Sequence, residues 1–324
     1  MVQNDFAAVT CFFSYVKNAH AVQRYKEFKD NLERQGVRLY TIELAFFDED
    51  FLLKDDVYLR LRTDTVLWHK ESLLNALVKR LPPRIKKIAW LDCDIEIEDD
   101  NWSEKARDLL EKYNVIEMGR EHIYLDKEGD VEREHMTSGY AIHHKISEWK
   151  DFSKYHPGLG WASRRELFTQ CGGLFKYGLS GGGDGIMAYI FGKSRWLSMR
   201  KMEMSNWMPD WKYNIFKDGC PSMIEKVKEY RDKVIPYVDG KVSYLDTKVI
   251  HRYHAPAGRR NYMTRPHVLN GIDLCNDLSE GSNGLFEWKD MRYNKVFETF
   301  FNMKDDQNRG SVRYTKVNVK NILK

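Results

Sequence analysis

The sequence predicts an α/β fold, a mixed and mainly parallel sheet flanked by helices, and three observations carry that expectation. Residues 6–46 read as strand, helix and strand in succession, which is a βαβ unit with its right-handed crossover. A second helical stretch, 68–81, leads into a short apolar run at 87–91 of the kind buried in parallel sheets. That run ends in Asp92-Cys93-Asp94, and ligands of open α/β sheets sit just past the carboxyl ends of their strands.

Taken in order, Phe6 to Tyr15 (FAAVTCFFSY) is rich in β-formers. His20 to Gln35 is charged and amphipathic, and Gly36 ends it as a helix C-cap would. Val37 to Phe46 (VRLYTIELAF) is the second strand. Ser14 and Glu43, as polar residues at the strand ends, are placed to meet a nucleoside or to serve simply as turn residues.

Trp68 to Leu81 carries Leu73, Leu74, Leu77, Val78 and Leu81 at helical spacing, and Pro82-Pro83 stops it. Lys70 at the helix start suits phosphate, and the Trp68 indole suits either stacking on a base or core packing. Asp92 and Asp94 offer two hard oxygens that a divalent cation, Mn²⁺ or Mg²⁺, can bridge to a diphosphate. On its own the pair fits a solvated turn equally well.

A helix is expected over Ser103 to Tyr113, and loop with short strands over Glu117 to Glu134. Gly158 to Phe168 reads as a glycine turn, a short strand and a helix start with Ser163 as N-cap and Glu166 in capping-box position. Ser180-Gly181-Gly182-Gly183-Asp184 then runs into an apolar helix. Glycines let the backbone approach a ligand and leave the Asp184 carboxylate at a helix N-terminus, where it serves as N-cap or as general base.

Trp196 to Lys217 is rich in Trp, Met and Tyr, which suits a core or a cleft rim facing sugars. Ile224 to Val234 reads as a charged helix. The strand Lys248–His254 ends in His251-x-x-His254, followed by Arg259 and Arg260, a set able to give imidazole to a metal and guanidinium to phosphate. The segment 279–324 is polar and aromatic, with a helix folded back on the domain expected there.

With 324 residues, 42% of them hydrophobic, the chain is long enough to bury a large core. A net charge of +4, from 52 basic and 48 acidic residues, is far from the one-signed surface of a dedicated nucleic-acid binder. No apolar run approaches the length of about 20 residues needed to span a bilayer, and MVQNDF lacks signal-peptide character. The five cysteines are odd in number, scattered and without CxxC, which points to reduced thiols and a cytoplasmic compartment.

Taken as an ordered set, these motifs resemble the metal-dependent GT-A glycosyltransferases, above all the inverting β-1,4-galactosyltransferase-like and family-2-like enzymes. Trp68-His69-Lys70-Glu71-Ser72-Leu73-Leu74-Asn75 is similar to the family's helix before its Asp-x-Asp strand. Gly160-Trp161-Ala162 with Gly172-Gly173-Leu174-Phe175, then Gly181-Gly182-Gly183-Asp184, and finally His251, His254 and Arg259 look like the later family elements. The resemblance spans roughly residues 6 to 265. It implies a Rossmann-like GT-A domain over 1–270 with a packed C-terminal extension over 271–324.

By the same resemblance, Asp184 is the base, and Asp92, Asp94, His251 and His254 are the metal set. Ser14, Glu43, Trp68, Lys70, Asn75, Cys93, Arg259 and Arg260 would meet the donor. Trp161, Gly182 and Gly183 would meet the acceptor. The donor is a nucleotide sugar, UDP-linked in most of the family, and the acceptor a glycan, glycolipid or other hydroxylated molecule, with nucleic acid only as acceptor. One departure stands out: where the family carries Glu before its base, this chain has Gly183. The family's lumenal members carry an anchor and disulfides, so a cytosolic bacterial, phage or viral relative is expected. The rival classes are a nucleotidyltransferase, against which VTCFFSYVKN lacks a glycine-rich basic loop, and a non-catalytic sugar-binding module.

Overall fold

The computed structural model describes residues 5–15, 19–54, 57–194, 210–253 and 265–302. The chain begins with β1 (Phe6–Phe12), α1 (Ala19–Arg34), β2 (Leu39–Phe46) and β3 (Leu59–Thr63), and continues through α2 (Lys70–Arg80) into β4 (Lys87–Leu91). All but β3, which the sequence reading did not anticipate, follow the expected spans to within a few residues. Pro82 and Pro83 lie just past α2, where a missing N–H and a fixed φ stop the helix.

After β4 come β5 (Ile95–Ile97), α3 (Trp102–Lys112), β6 (Val115–Glu117), β7 (Glu121–Leu125) and β8 (Val131–Thr137). The stretch expected to be loop with short strands holds β7 and the start of β8, which pair as an antiparallel hairpin. Its charges belong to one side: β8 shows its acidic residues to solvent while β7 buries His122, Ile123 and Tyr124. Then follow α4 (Ser138–His143), β9 (Tyr155–His156), β10 (Gly160–Arg164), α5 (Glu166–Gln170) and α6 (Gly183–Ser194).

Ser163 is not an N-cap. It belongs to β10, its hydroxyl donates to the Arg164 carbonyl at 3.0 Å, and Arg165 occupies the cap position. The strand continues one residue further because Ser163 pairs with Ile88 on one side and Val115 on the other. Arg165 donates to the carbonyls of Val78, Leu81, Pro82 and Ile85, which ties the end of α2 and the turn after it to the start of α5.

The described residues end with α7 (Asp210–Gly219), α8 (Pro221–Val238), β11 (Val242–Tyr244), β12 (Lys248–His251), the hairpin β13 (Leu278–Glu280) and β14 (Phe286–Trp288), and α9 (Tyr293–Asn302). The expected charged helix is thus α8, longer at both ends, and the expected strand ends at His251.

Among the described residues, seven strands form the main sheet in the order β11-β6-β10-β4-β1-β2-β3. Pairing is parallel except where β10 runs antiparallel between β4 and β6. The fold is therefore the mixed, mainly parallel α/β sheet flanked by helices that the sequence predicts. A second sheet, β5-β12-β7-β8-β9, stands beside it. The Asp92–Asp94 turn lies where the chain leaves β4 of the first sheet and enters β5 of the second.

Among the described residues, those past 270 do not form a separate core. Leu278, Phe286, Trp288, Val296, Phe297 and Phe300 join Leu67, Leu73 and Leu77 in the largest hydrophobic cluster. Among the described residues no helix is long and apolar enough to cross a membrane.

Candidate active site

Three element ends meet at one point: the carboxyl end of β4 and the N-termini of α2 and α6. Lys70, the first residue of α2, contacts Asp92 at the end of β4 and lies 3.9 Å from Asp184 in the first turn of α6. Burial works against its ammonium, yet Asp92 and Asp184 hold it well above its ordinary pKa. One cation thus ties the Asp-x-Asp turn to the candidate base.

His251 arrives through sheet register. β12 pairs with β5 so that His251 faces Ile95, and the Arg252 amide donates to the Asp94 carbonyl at 3.0 Å. His251 Nε2 comes to lie 3.6 Å from Asp94 Oδ2, with its ring 5.0 Å from that of Tyr124. Asp94 and His251 are a carboxylate and imidazole pair that suits Mn²⁺. Among the described residues no three His, Cys, Asp or Glu side chains converge at metal-holding distance, and Asp92 is paired with Lys70. His254, Arg259 and Arg260 lie outside the described residues.

Asp184 follows Gly181 and Gly182, whose φ values of +94° and +83° are left-handed and strained for other residues. A Cβ on Gly182 would stand 3.6 Å from Lys212 Nζ of α7, and one on Gly181 would stand 3.1 Å from an Arg265 nitrogen. Lys212 is lowered to about 8 by burial, against the opposing pull of Asp184. Leu159 is held at φ +69° beside the site, and its carbonyl accepts from the Asp92 amide at 2.8 Å. A non-glycine residue at such φ is backbone strain of order 1 kcal/mol or more.

The remaining expected residues divide. Trp68 is partly buried, edge-on to Phe13 at 5.1 Å and stacked on Phe301 at 6.5 Å. Ser14 is half-buried two residues past β1. Cys93 sits inside the turn, its thiol pushed up by burial, so it does not behave as a reactive thiolate.

Glu43 is corrected: it lies within β2, not at its end, and is 1% exposed. Its carboxylate accepts from the Leu52 and Leu53 amides at 2.6 and 2.8 Å and from Arg60 Nε at 3.3 Å, so it anchors a loop. Asn75 is likewise taken up inside the fold, its side chain exchanging two hydrogen bonds with the Leu174 backbone at 3.0 and 2.8 Å. Trp161 is 1% exposed and donates to the Pro157 carbonyl, which makes it the floor under Asp184 and not an exposed rim.

Three residues beside Asp184 escape the sequence reading. Lys212 lies in a stretch read as core aromatics, and Arg265 follows the arginine pair without a motif of its own. Glu71 carried a signal: it precedes Leu74 and Val78 by three and seven residues, which places a carboxylate on the apolar stripe of α2.

No protein-family model and no curated protein sequence matches the chain. Solved structures do. The catalytic domain of Drosophila β1,4-galactosyltransferase 7 with xylobiose is 17% identical, over 56% of this chain and 58% of that one, at a TM-score of 0.32. A mutant of the same enzyme with manganese, UDP-Gal and xylobiose is 14% identical, over 97% and 83% of the two chains, at 0.31. The 4-diphosphocytidyl-2C-methyl-D-erythritol synthase of Anaerococcus prevotii is 11% identical, over 75% and 88%, at 0.33. At such scores these likenesses carry no argument about chemistry, which rests on the residues of this chain.

Proposed function

We propose that this protein is a metal-dependent glycosyltransferase that moves a sugar from a nucleotide diphosphate, UDP by preference, to an acceptor hydroxyl with inversion. The observation that carries the reading is the Lys70 bridge, which joins Asp92 at the end of the central strand to Asp184 at the N-terminus of α6. A diphosphate lying across that point meets the Lys70 ammonium and the N-terminus of α2.

Asp94 and His251 would hold Mn²⁺ or Mg²⁺, with Asp92 and His254 as further donors. The cation, when bound, supplies Lewis-acid stabilisation of the departing diphosphate. Asp184 takes the proton of the acceptor hydroxyl. The oxygen then attacks the anomeric carbon on the face opposite the leaving group, the carbon–oxygen bond to the diphosphate breaks, and configuration inverts. Lys212 and Arg265 border the acceptor side, and Trp161 closes its floor. A glycan, a glycolipid or another hydroxylated molecule fits as acceptor, nucleic acid only in that capacity. The five cysteines are free thiols, which supports a reducing, cytoplasmic setting.

The test is calorimetric titration with UDP, GDP, CMP and dTDP sugars, with and without Mn²⁺, on the wild type and on Asp94→Ala. Binding of one nucleotide class that needs both metal and Asp94 is expected, followed by UDP release on supplying an acceptor. Release of pyrophosphate from a nucleoside triphosphate and a sugar phosphate would instead mark a nucleotidyltransferase. Absence of metal-dependent binding to every sugar nucleotide would defeat the reading.

A further inference from the structure

Beside Asp184 lies a small, partly open cavity of about 10 Å³, bordered by Lys70, Glu71, Trp90, Trp161, Asp184 and Met187. That volume suits one water, and such a water needs two or more polar partners. Glu71 enters from α2 with 1% exposure, and among the described residues nothing but its own amide is placed to pair with its carboxyl oxygens. A carboxyl so poorly paired in a core is costly, and a leucine of similar size would remove that cost. Burial, with Asp184 beside it, pushes the carboxyl up to about 8, so at neutral pH it carries a proton and can donate.

A second observation concerns the loop of α6. A Cβ placed on Gly183 would stand 2.5 Å from Glu71 Oε1 and 3.2 Å from the Phe175 carbonyl. Gly183 therefore gives room for the carboxyl that α2 sends across. The residue before Asp184 carries no side chain because its place is filled from another helix.

We propose that Glu71 is the positioning residue of Asp184: through one water in the cavity, its carboxyl holds the side of the Asp184 carboxylate turned away from the acceptor. The assignment rests on Asp184 being the base of the proposed glycosyltransferase.

The experiment compares the wild type with Glu71→Leu and Glu71→Gln, after the wild type has been assigned a donor by the titrations above. Glu71→Leu is expected to melt about 2 °C or more above the wild type, to bind donor within twofold of it, and to lose at least tenfold in kcat. Glu71→Gln keeps a donor and an acceptor for the water and should retain kcat within about threefold. Wild-type kcat in Glu71→Leu would overturn the proposal while leaving the glycosyltransferase reading intact. A lower melting temperature with kcat and donor affinity falling together would make Glu71 a packing residue and overturn it equally.

Should Glu71→Leu fail to fold, Gly183→Ala decides. It is expected to destabilise the native protein and to be tolerated in a Glu71→Ala background, with the fold restored but kcat still low. Full activity in that double variant would refute the role. A wild type without metal-dependent donor binding would remove both the proposal and the reading beneath it, a result distinct from any of these.

Discussion

Replacing Lys70 by methionine keeps most of its volume and removes one charge from the point where three elements meet. Lys70 is 14% exposed, touches Asp92 and lies 3.9 Å from Asp184, carboxylates that are 30% and 28% exposed. At an effective dielectric of about 20, each pair near 4 Å attracts by roughly 4 kcal/mol, most of it offset by desolvation. Removing one partner of a fully buried pair costs about 3–5 kcal/mol; here water still reaches nearly a third of each carboxylate, so a loss of about 2 kcal/mol is expected without metal. Urea unfolding in EDTA reads this directly as a lower midpoint at unchanged slope. The same titration in Mn²⁺ should narrow the gap, since a cation at Asp92 and Asp94 replaces the missing charge and no longer competes with the lysine. Equal stability of Lys70→Met and wild type in EDTA, or a gap that widens with Mn²⁺, would refute the reasoning.

Three further outcomes are expected. Asp184→Asn should lose about 10²- to 10⁴-fold in kcat at unchanged donor affinity, read by product formation against calorimetry. Asn75→Ala removes both hydrogen bonds to Leu174 and should destabilise by about 2–3 kcal/mol in urea unfolding while donor affinity stays within a few-fold. Stability should also fall on both sides of a plateau between about pH 4.5 and 6.5. Burial lowers His69 to about 4 and His122 to about 3, so on acidification the unfolded chain binds protons the native one refuses. Burial raises Glu71 to about 8, and Glu117 well above its ordinary value, so above pH 6.5 the native state retains protons the unfolded chain has released. Urea unfolding from pH 4 to 8.5 checks this, and a stability that climbs steadily above pH 6.5 would contradict it.

The main sheet was legible because its signal is local: apolar runs such as KIAWL and FAAVTCF, and helices bounded by proline or glycine. Asp92, Asp94 and Asp184 could be picked out for a related reason, since each sits where a strand or glycine loop breaks off. What escaped is non-local. The hairpin of β7 and β8 shows charge on one face because only the other is covered, and a polar composition hides it. Glu43 looked like a strand-end residue because nothing nearby in sequence reveals the amides of Leu52 and Leu53 that fill its carboxylate. Lys212 and Arg265 approach Asp184 only through the packing of α7 and of the 265–269 turn, and the alternation around them carries no trace of it.

The segment that delivers Trp68 and Lys70 is fastened by residues far along the chain. Asn294 of α9 accepts from the Val66 amide at 2.8 Å and donates to the Asp64 carbonyl at 2.6 Å, and the Trp288 amide donates to Thr65. Translation therefore makes the strands of the sheet long before it makes the clasp. At several residues per second, a nascent chain spends some tens of seconds with β1 to β4 available and the wall around Trp68 unfastened. Fastening of the Trp68 segment therefore waits on synthesis of α9, some two hundred residues after β4 has been made.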